Sequence, residues 1–378
     1  MKLIQNKWRS LLAVALGTVV LISCNKDIEA PVPNPVPQVP TGSTITDIIN
    51  TNPNYTLLKH AITRANNVGI NAALANRTGI YTVFAPDNAA FGRLGITSTA
   101  VIDALFSPAQ LTQILNYHII PGQAYTSALI PTTFPNVQLP TAFIIPAPNT
   151  NPLVRFSSFP AKRGSAAWVN NAPVAAADIP AANGVIHSIA VPLLPPSRVF
   201  LDTLSRDPEF SFLIAAVVRA DSDLPSTSTS RFQYALSEPL ASLTVFAPTN
   251  DAFRGLINAL SGGAIPLNAP DATFIAFINS LPPTTLKGII AYHILGQRAF
   301  NVNFATTATN YPTLLNGSVP THPGVSVTAT ITSGFGAGLS VKGVANATAA
   351  TAIGTAAGFD RMAINGVFYK INQVLLPQ

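Results

Sequence analysis

Two Tyr-His pairs, Tyr117-His118 and Tyr292-His293, hold the side chains of this 378-residue chain best suited to moving a proton, because imidazole titrates near neutral pH. Each pair ends a helical stretch (111 to 115, 286 to 290) and begins a short apolar run. Rings flanked by Ile and Leu on both sides are expected to be half-buried, with the ring nitrogen and hydroxyl tied to backbone groups. Recognition of a partner is the alternative role for these four residues. Hydrolysis would need a base beside a nucleophile, or two carboxylates at a set separation. The chain has three glutamates and five histidines, with no GxSxG, no HExxH and no clustered Cys/His ligands. A non-catalytic chain without metal or cofactor is expected. The second closing block has Tyr369 where the first has His187, which argues further against a shared catalytic or metal role there.

The single cysteine, Cys24, follows a basic start (Lys2, Lys7, Arg9) and a twelve-residue apolar run from Leu11 to Ile22. Such a run is too short to span a bilayer comfortably and reads as an export signal over residues 1–23. Leu21-Ile22-Ser23-Cys24 resembles the lipobox of bacterial lipoproteins, so Cys24 is expected to carry lipid rather than to act as a nucleophile. Acyl chains would then hold the protein on a membrane by burying methylenes. Residues 24–45 form a tether whose PVPNPVPQVP stretch favours an extended polyproline rod. Asn25 to Glu29 resembles the export signal of Bacteroidetes surface lipoproteins, which implies the outer face of the outer membrane, with the periplasmic face as the alternative. Removing the signal lowers the formal charge from +6 to +3. The remaining cations are scattered, so no nucleic-acid partner is expected.

The chain repeats itself. TVFAPDNAAF at 82–91 recurs as TVFAPTNDAF at 244–253, LNYHII at 115–120 as IAYHIL at 290–295, and ANGVIHSIAVPLLPP at 182–196 as INGVFYKINQVLLPQ at 364–378. Three phrases in one order, over units far longer than solenoid repeats, indicate domain duplication. Residues 46–196 and 197–378 are therefore read as two domains. Each opens on a helical apolar stripe (Ile48, Ile49, Leu57, Leu58, Ala61; Phe200, Leu204, Phe212, Leu213, Val217), with Asn52-Pro53 or Asp207-Pro208 as a helix start. In the first phrase Thr-Val-Phe predicts a strand, Pro86 and Pro248 its end, and Asp87 and Thr249 helix N-caps. Asn183-Gly184 and Asn365-Gly366 predict hairpin turns before the last strands. The second unit adds 325–331 and 339–342 as strands joined by a glycine-rich turn, and an insertion at 261–283 expected to be loop.

These phrases, in this order, resemble the fasciclin (FAS1) domain. The fold that the resemblance implies is α+β: two tandem domains, each a wedge of two β-sheets flanked by helices. It further implies an extracellular adhesion or matrix-binding module, and in animal relatives integrin binding near the Tyr-His motif and an Asp-Ile pair. The matching positions are Tyr117, His118, Asp178 and Ile179. The second unit keeps Tyr292 and His293, but FDRMAINGV replaces ADIPAANGV, so its Asp-Ile pair is read as lost. Asp202-Thr203-Leu204 resembles the Bacteroidetes O-glycosylation acceptor, which makes Thr203 a candidate for modification.

A lipid-anchored envelope protein that binds an extracellular protein or polysaccharide is the function expected from these features. The alternative is a glycan or small-ligand binding lipoprotein serving an uptake system, with Trp168 as its candidate sugar platform.

Overall fold

Strands apolar on both faces must be covered on both faces, and the computed structural model shows how each domain does this. It describes residues 40–145, 151, 153–354 and 359–378. The export signal, Cys24 and most of the tether lie outside the described residues.

In the first domain, helices α1 (Ile45–Thr51), α2 (Thr56–Ala65) and α3 (Val68–Ala75) precede strand β1 (Tyr81–Pro86). Helices α4 (Asn88–Arg93), α5 (Thr99–Leu105) and α6 (Pro108–Tyr117) follow, then β2 (Ile119–Pro121), β3 (Leu139–Ile144), β4 (Arg155–Ser158), β5 (Pro160–Arg163), β6 (Ala166–Val169), β7 (Ala172–Ala181) and β8 (Gly184–Ile189). The six-stranded sheet runs β2-β1-β8-β7-β6-β5, and β3 pairs with β4 in a separate ribbon.

The second domain repeats the plan with α7 (Phe200–Arg206), α8 (Ser211–Ala220), α9 (Phe232–Ser237), β9 (Leu243–Pro248), α10 (Asn250–Leu260), α11 (Asp271–Ser280) and α12 (Pro283–Tyr292). Its strands β10 (Ile294–Leu295), β9, β16 (Gly366–Ile371) and β15 (Arg361–Ala363) form one sheet. Strands β11 (Thr309–Tyr311), β12 (Val325–Thr332), β13 (Phe335–Lys342) and β14 (Ala350–Thr351) form the other. The α+β wedge expected for each unit is present.

Alternation along the central strands divides two cores. Val83 and Ala85 of β1 face the helices, while Phe84 faces the opposing strands. Val245 and Ala247 of β9 do the same against α8 and α10, and Phe246 turns the other way. The repeated phrase is therefore the wall between two hydrophobic layers. Asp87 and Thr249 cap the next helices as expected, accepting from the N–H of Ala90 at 2.7 Å and of Ala252 at 3.3 Å.

Several sequence expectations need correction. The tether ends before residue 45, because Thr44 and Asp47 form a reciprocal cap on α1 and the Ser43 carbonyl accepts from the Ala182 N–H at 2.8 Å. The 261–283 insertion contains helix α11, whose Phe274 and Ile278 belong to the second-domain core. The glycine-rich turn is only Ser333-Gly334, after which β13 begins at Phe335.

Candidate functional site

All three repeated phrases converge on the central sheet. Strand β8 lies parallel to β1, pairing Phe84 with His187, and β16 lies parallel to β9, pairing Phe246 with Tyr369. The Phe84 N–H donates to the His118 carbonyl and that of Phe246 to the His293 carbonyl, each at 2.9 Å. Gly184 makes the parallel contact possible: a Cβ there would fall 1.8 Å from the Tyr81 carbonyl oxygen.

The Tyr-His pairs are internal clamps. His118 Nδ1 donates to the Ile114 carbonyl at 2.7 Å, and its Nε2 accepts from the Leu193 N–H at 2.9 Å. His293 repeats this between Ile289 and Leu375, at 2.7 and 2.9 Å. Two backbone partners fix each ring as neutral, and burial pulls both imidazoles down to about 4 despite the favourable bond to the helix carbonyl. The Tyr117 hydroxyl accepts from Asn170 Nδ2 at 3.1 Å, and that of Tyr292 donates to the Gly324 carbonyl at 2.7 Å. All four side chains are buried. As folded they offer no surface to a partner, and the recognition role set against the structural one does not belong to them.

His187 is held in the same manner, accepting from the Asp178 N–H at Nδ1 and donating from Nε2 to the Tyr125 carbonyl at 2.8 Å. Burial lowers its pKa as well. His322 Nδ1 accepts from the Gly324 N–H and Nε2 donates to the Pro377 carbonyl, both at 3.0 Å. His60, half-buried like His322, pairs instead with the Asp103 side chain at 2.9 Å. Four of the five imidazoles therefore have both nitrogens committed to backbone groups.

Asp178 differs from the Tyr-His residues. It lies in a bulged part of β7 with φ of +58°, is exposed, and accepts from the Ser127 N–H at 2.7 Å and from the Ser127 hydroxyl. Burial pushes its carboxyl up, but the Ser127 hydroxyl and N–H, with His187 and Lys162 nearby, bring it below the usual carboxylate range. Ile179 is half-buried and leans on the helical core.

The second domain keeps this aspartate. Asp360 stands five residues before Asn365-Gly366, as Asp178 stands before Asn183-Gly184. It accepts from the Asn301 N–H at 2.6 Å and from the Tyr369 hydroxyl at 2.5 Å. Only the isoleucine is lost, replaced by Arg361, so the reading of a lost Asp-Ile pair was half right. Five-residue spacing from Asn-Gly was the signal in the sequence. Asn171 of the first domain also hydrogen-bonds Asp360, which is half-buried at the seam. Burial pushes that carboxyl up to about 6, against the lowering pull of Tyr369, Asn301 and Asn171.

The two domains join through a packed seam. Trp168 is buried, packs with Phe159 into the second-domain core, and donates from Nε1 to the Gly334 carbonyl at 2.6 Å. The expected sugar platform is therefore an interface residue, with no face left for a glycan. Arg163 donates to the Val302 carbonyl at 2.9 Å, and Arg298 lies over the Phe159 ring at 4.6 Å. Asn136 and Asn303 exchange amide hydrogen bonds of 2.7 and 3.1 Å.

Asn183 and Asn365 sit in the expected hairpin turns and do more than turn the chain. Both are buried, and their Oδ1 atoms accept from the N–H of Ile45 and Phe200, each at 2.9 Å, fastening the last hairpin to the first helix of its own domain. Thr203 is half-buried on α7, with its hydroxyl donating to the Val199 carbonyl at 2.9 Å.

The fasciclin domain matches residues 53–195 and 222–377, one stretch for each unit. The chain belongs to the fasciclin domain family. Among curated fasciclin relatives, transforming growth factor-beta-induced protein ig-h3 of Sus scrofa is 32% identical over 165 residues, covering 42% of this chain and 20% of that protein. Cell surface glycolipoprotein MPB83 of Mycobacterium bovis is 32% identical over 148 residues, 39% of this chain and 58% of the relative. Immunogenic protein MPB70 of the same species is 30% identical over 147 residues, 39% of this chain and 66% of the relative. The chain thus spans less than two thirds of each relative's length. A solved FAS1 domain pair of the insect cell adhesion molecule fasciclin I aligns over 85% of this chain and 95% of its own, at 18% identity and a TM-score of 0.35.

Proposed function

We propose that this fasciclin protein is a non-catalytic, lipid-anchored interaction module displayed on the outside of the cell, with the exposed Asp178 bulge as part of its adhesive surface. One observation carries the reading: of the six residues matched to recognition motifs, Asp178 alone stands in the open, held rigid by Ser127 rather than free to swing. A preordered acceptor on a bulge loses little entropy when a partner docks. The buried imidazoles support a non-catalytic role, since a general base must reach the proton it removes. Cell-surface and immunogenic relatives support display, and Cys24 with the export-like Lys26-Asp27 supports anchoring at the outer membrane. Thr203 would serve as a glycan acceptor only before its helix forms, because its hydroxyl is engaged in the fold.

Protease treatment of intact cells tests display. Wild type should be shaved, whereas a Lys26→Ala, Asp27→Ala variant should be protected. Protection of both, with a control surface protein cleaved, would place the protein on the periplasmic face. Adhesion of protein-coated beads to cells or matrix polymers tests the surface, and an Asp178→Ala variant that binds as well as wild type would remove the bulge from it.

A further inference from the structure

The seam between the domains holds a half-open cavity of about 240 Å³. The first domain contributes Arg93, Asn171 and Val191, and the second contributes Phe335, Gly336 and Asp360. Sites for drug-sized ligands run to roughly 300–1,000 Å³, so this one suits a single small ring. Its polar groups are a guanidinium that only donates, a carboxylate that accepts and an amide that does both. Its apolar side is the Phe335 ring with aliphatic neighbours.

The opposite charges of Arg93 and Asp360 cancel, so the lining has no net pull on a simple anion or cation. Hydroxyl groups, which donate and accept at once, match all three polar groups. The groups are also fixed in place. Arg93 donates to the Ala190 carbonyl at 3.0 Å and stands 5.8 Å from the Phe335 ring centre, while Asp360 is held by Tyr369 and Asn301.

Asn301 stands behind the Gly336 wall of the cavity, where a Cβ on Gly336 would fall 2.8 Å from its side-chain amide, and its Nδ2 donates to the Gly338 carbonyl at 2.8 Å, so this wall is fixed as well.

We propose that the interdomain cavity binds one neutral, hexose-sized sugar residue, its hydroxyls meeting Asp360, Asn171 and Arg93 and its C–H face resting on the wall formed by Phe335 and Val191. A pocket of this size suits a free sugar or the end of a polysaccharide rather than the middle of a chain. This site is separate from the outward surface at Asp178, and either could fail without the other.

Calorimetric titration of the whole mature chain with glucose, galactose, mannose and their methyl glycosides tests the proposal, with glycine and acetate as charged comparators. At least one hexose should bind one to one, and Asp360→Asn and Leu94→Trp should each weaken it by about tenfold or more, while Asp178→Asn leaves it unchanged. Leu94 lines the same cavity and is 38% exposed, so its replacement probes the site even if Asp360→Asn does not fold. Three results would overturn the assignment: no hexose binding by folded wild type up to about 100 mM, binding that survives both cavity variants, or glycine or acetate binding in place of sugar.

Discussion

The same aspartate station is built twice in this molecule and put to opposite uses. In the first domain Asp178 sits beside Ser127 and His187 at the protein surface, with its carboxyl held below the usual range once the Ser127 bonds outweigh burial. In the second, Asp360 meets Asn301 and Tyr369 at the equivalent positions, and the first domain closes over it. Burial then pushes the carboxyl up to about 6. Both groups accept from one backbone N–H and one hydroxyl, and Asp360 from Asn171 as well, so its raised carboxyl comes from covering rather than from fewer bonds. Solvent exposure decides whether a well-bonded acid is easier or harder to ionise.

Removing each acid in turn should separate the two uses most sharply. Asp360→Ala leaves the Asn301 N–H without its acceptor and opens a void, while the Tyr369 hydroxyl keeps the Ala299 carbonyl, and should cost about 2–4 kcal/mol in urea unfolding. Asp178→Ala, at an exposed site, should cost about 1 kcal/mol or less. Equal costs would mean that the seam does not shield Asp360.

The histidine clamps offer a control, because they are alike in the two domains. His118→Ala and His293→Ala should each destabilise by about 2–4 kcal/mol, by leaving a buried backbone N–H without its acceptor and opening a void. A large gap between these two costs would show that the domains differ in more than the aspartate station.

The pH dependence comes next in size. Both clamp imidazoles titrate near 4 when folded, below the ordinary value of 6.5, so they keep the folded state neutral while the unfolded chain gains protons. Stability should fall as pH drops from 6.5 towards 4. Asp360 acts in the opposite sense: its folded pKa of about 6 exceeds the ordinary 3.8, so it favours the folded state at low pH and loses that contribution as pH rises through 6. Asp360→Asn should therefore make the acid-side decline between pH 4 and 6 steeper by about one proton, or about 1.4 kcal/mol per pH unit. Unfolding free energies measured across that window check it, and Asp178→Asn should leave the slope there unchanged.

The smallest effect belongs to Ser127→Ala. Losing one exposed hydroxyl partner should change stability by about 0.5 kcal/mol, yet it frees Asp178 to move. Weaker bead adhesion without a change in thermal midpoint would show that the ordering of Asp178, rather than its charge alone, matters to a partner.

Much of this was legible in the sequence because the signals are local. The strand-to-cap corner of TVFAPDNAAF and the hairpins before β8 and β16 follow from alternation, proline and capping chemistry. Phe274 and Ile278 already showed helical spacing inside the supposed insertion. Asn183 and Asn365 stand in the hairpin turns expected of them, but their second role as buried clamps on the first helix has no local spelling. The Trp168 seam left no one-dimensional trace, since an interface residue and a core residue share composition. Asp360 is masked in the sequence by Arg361, which stands where the first domain has Ile179.

The parallel pairing of β1 with β8, and of β9 with β16, also sets an order in time. A chain made from its N-terminus delivers Thr82-Val83-Phe84 early, but the strand that covers it, and the Asn183 that fastens the first helix, come about a hundred residues later. Neither domain can close until its last hairpin has been made, so each carries an open sheet edge that must be kept from strangers. The first domain can shut while the second is still being made. Its Phe159 and Trp168 then wait at the surface until Gly334 and its neighbours arrive to cover them.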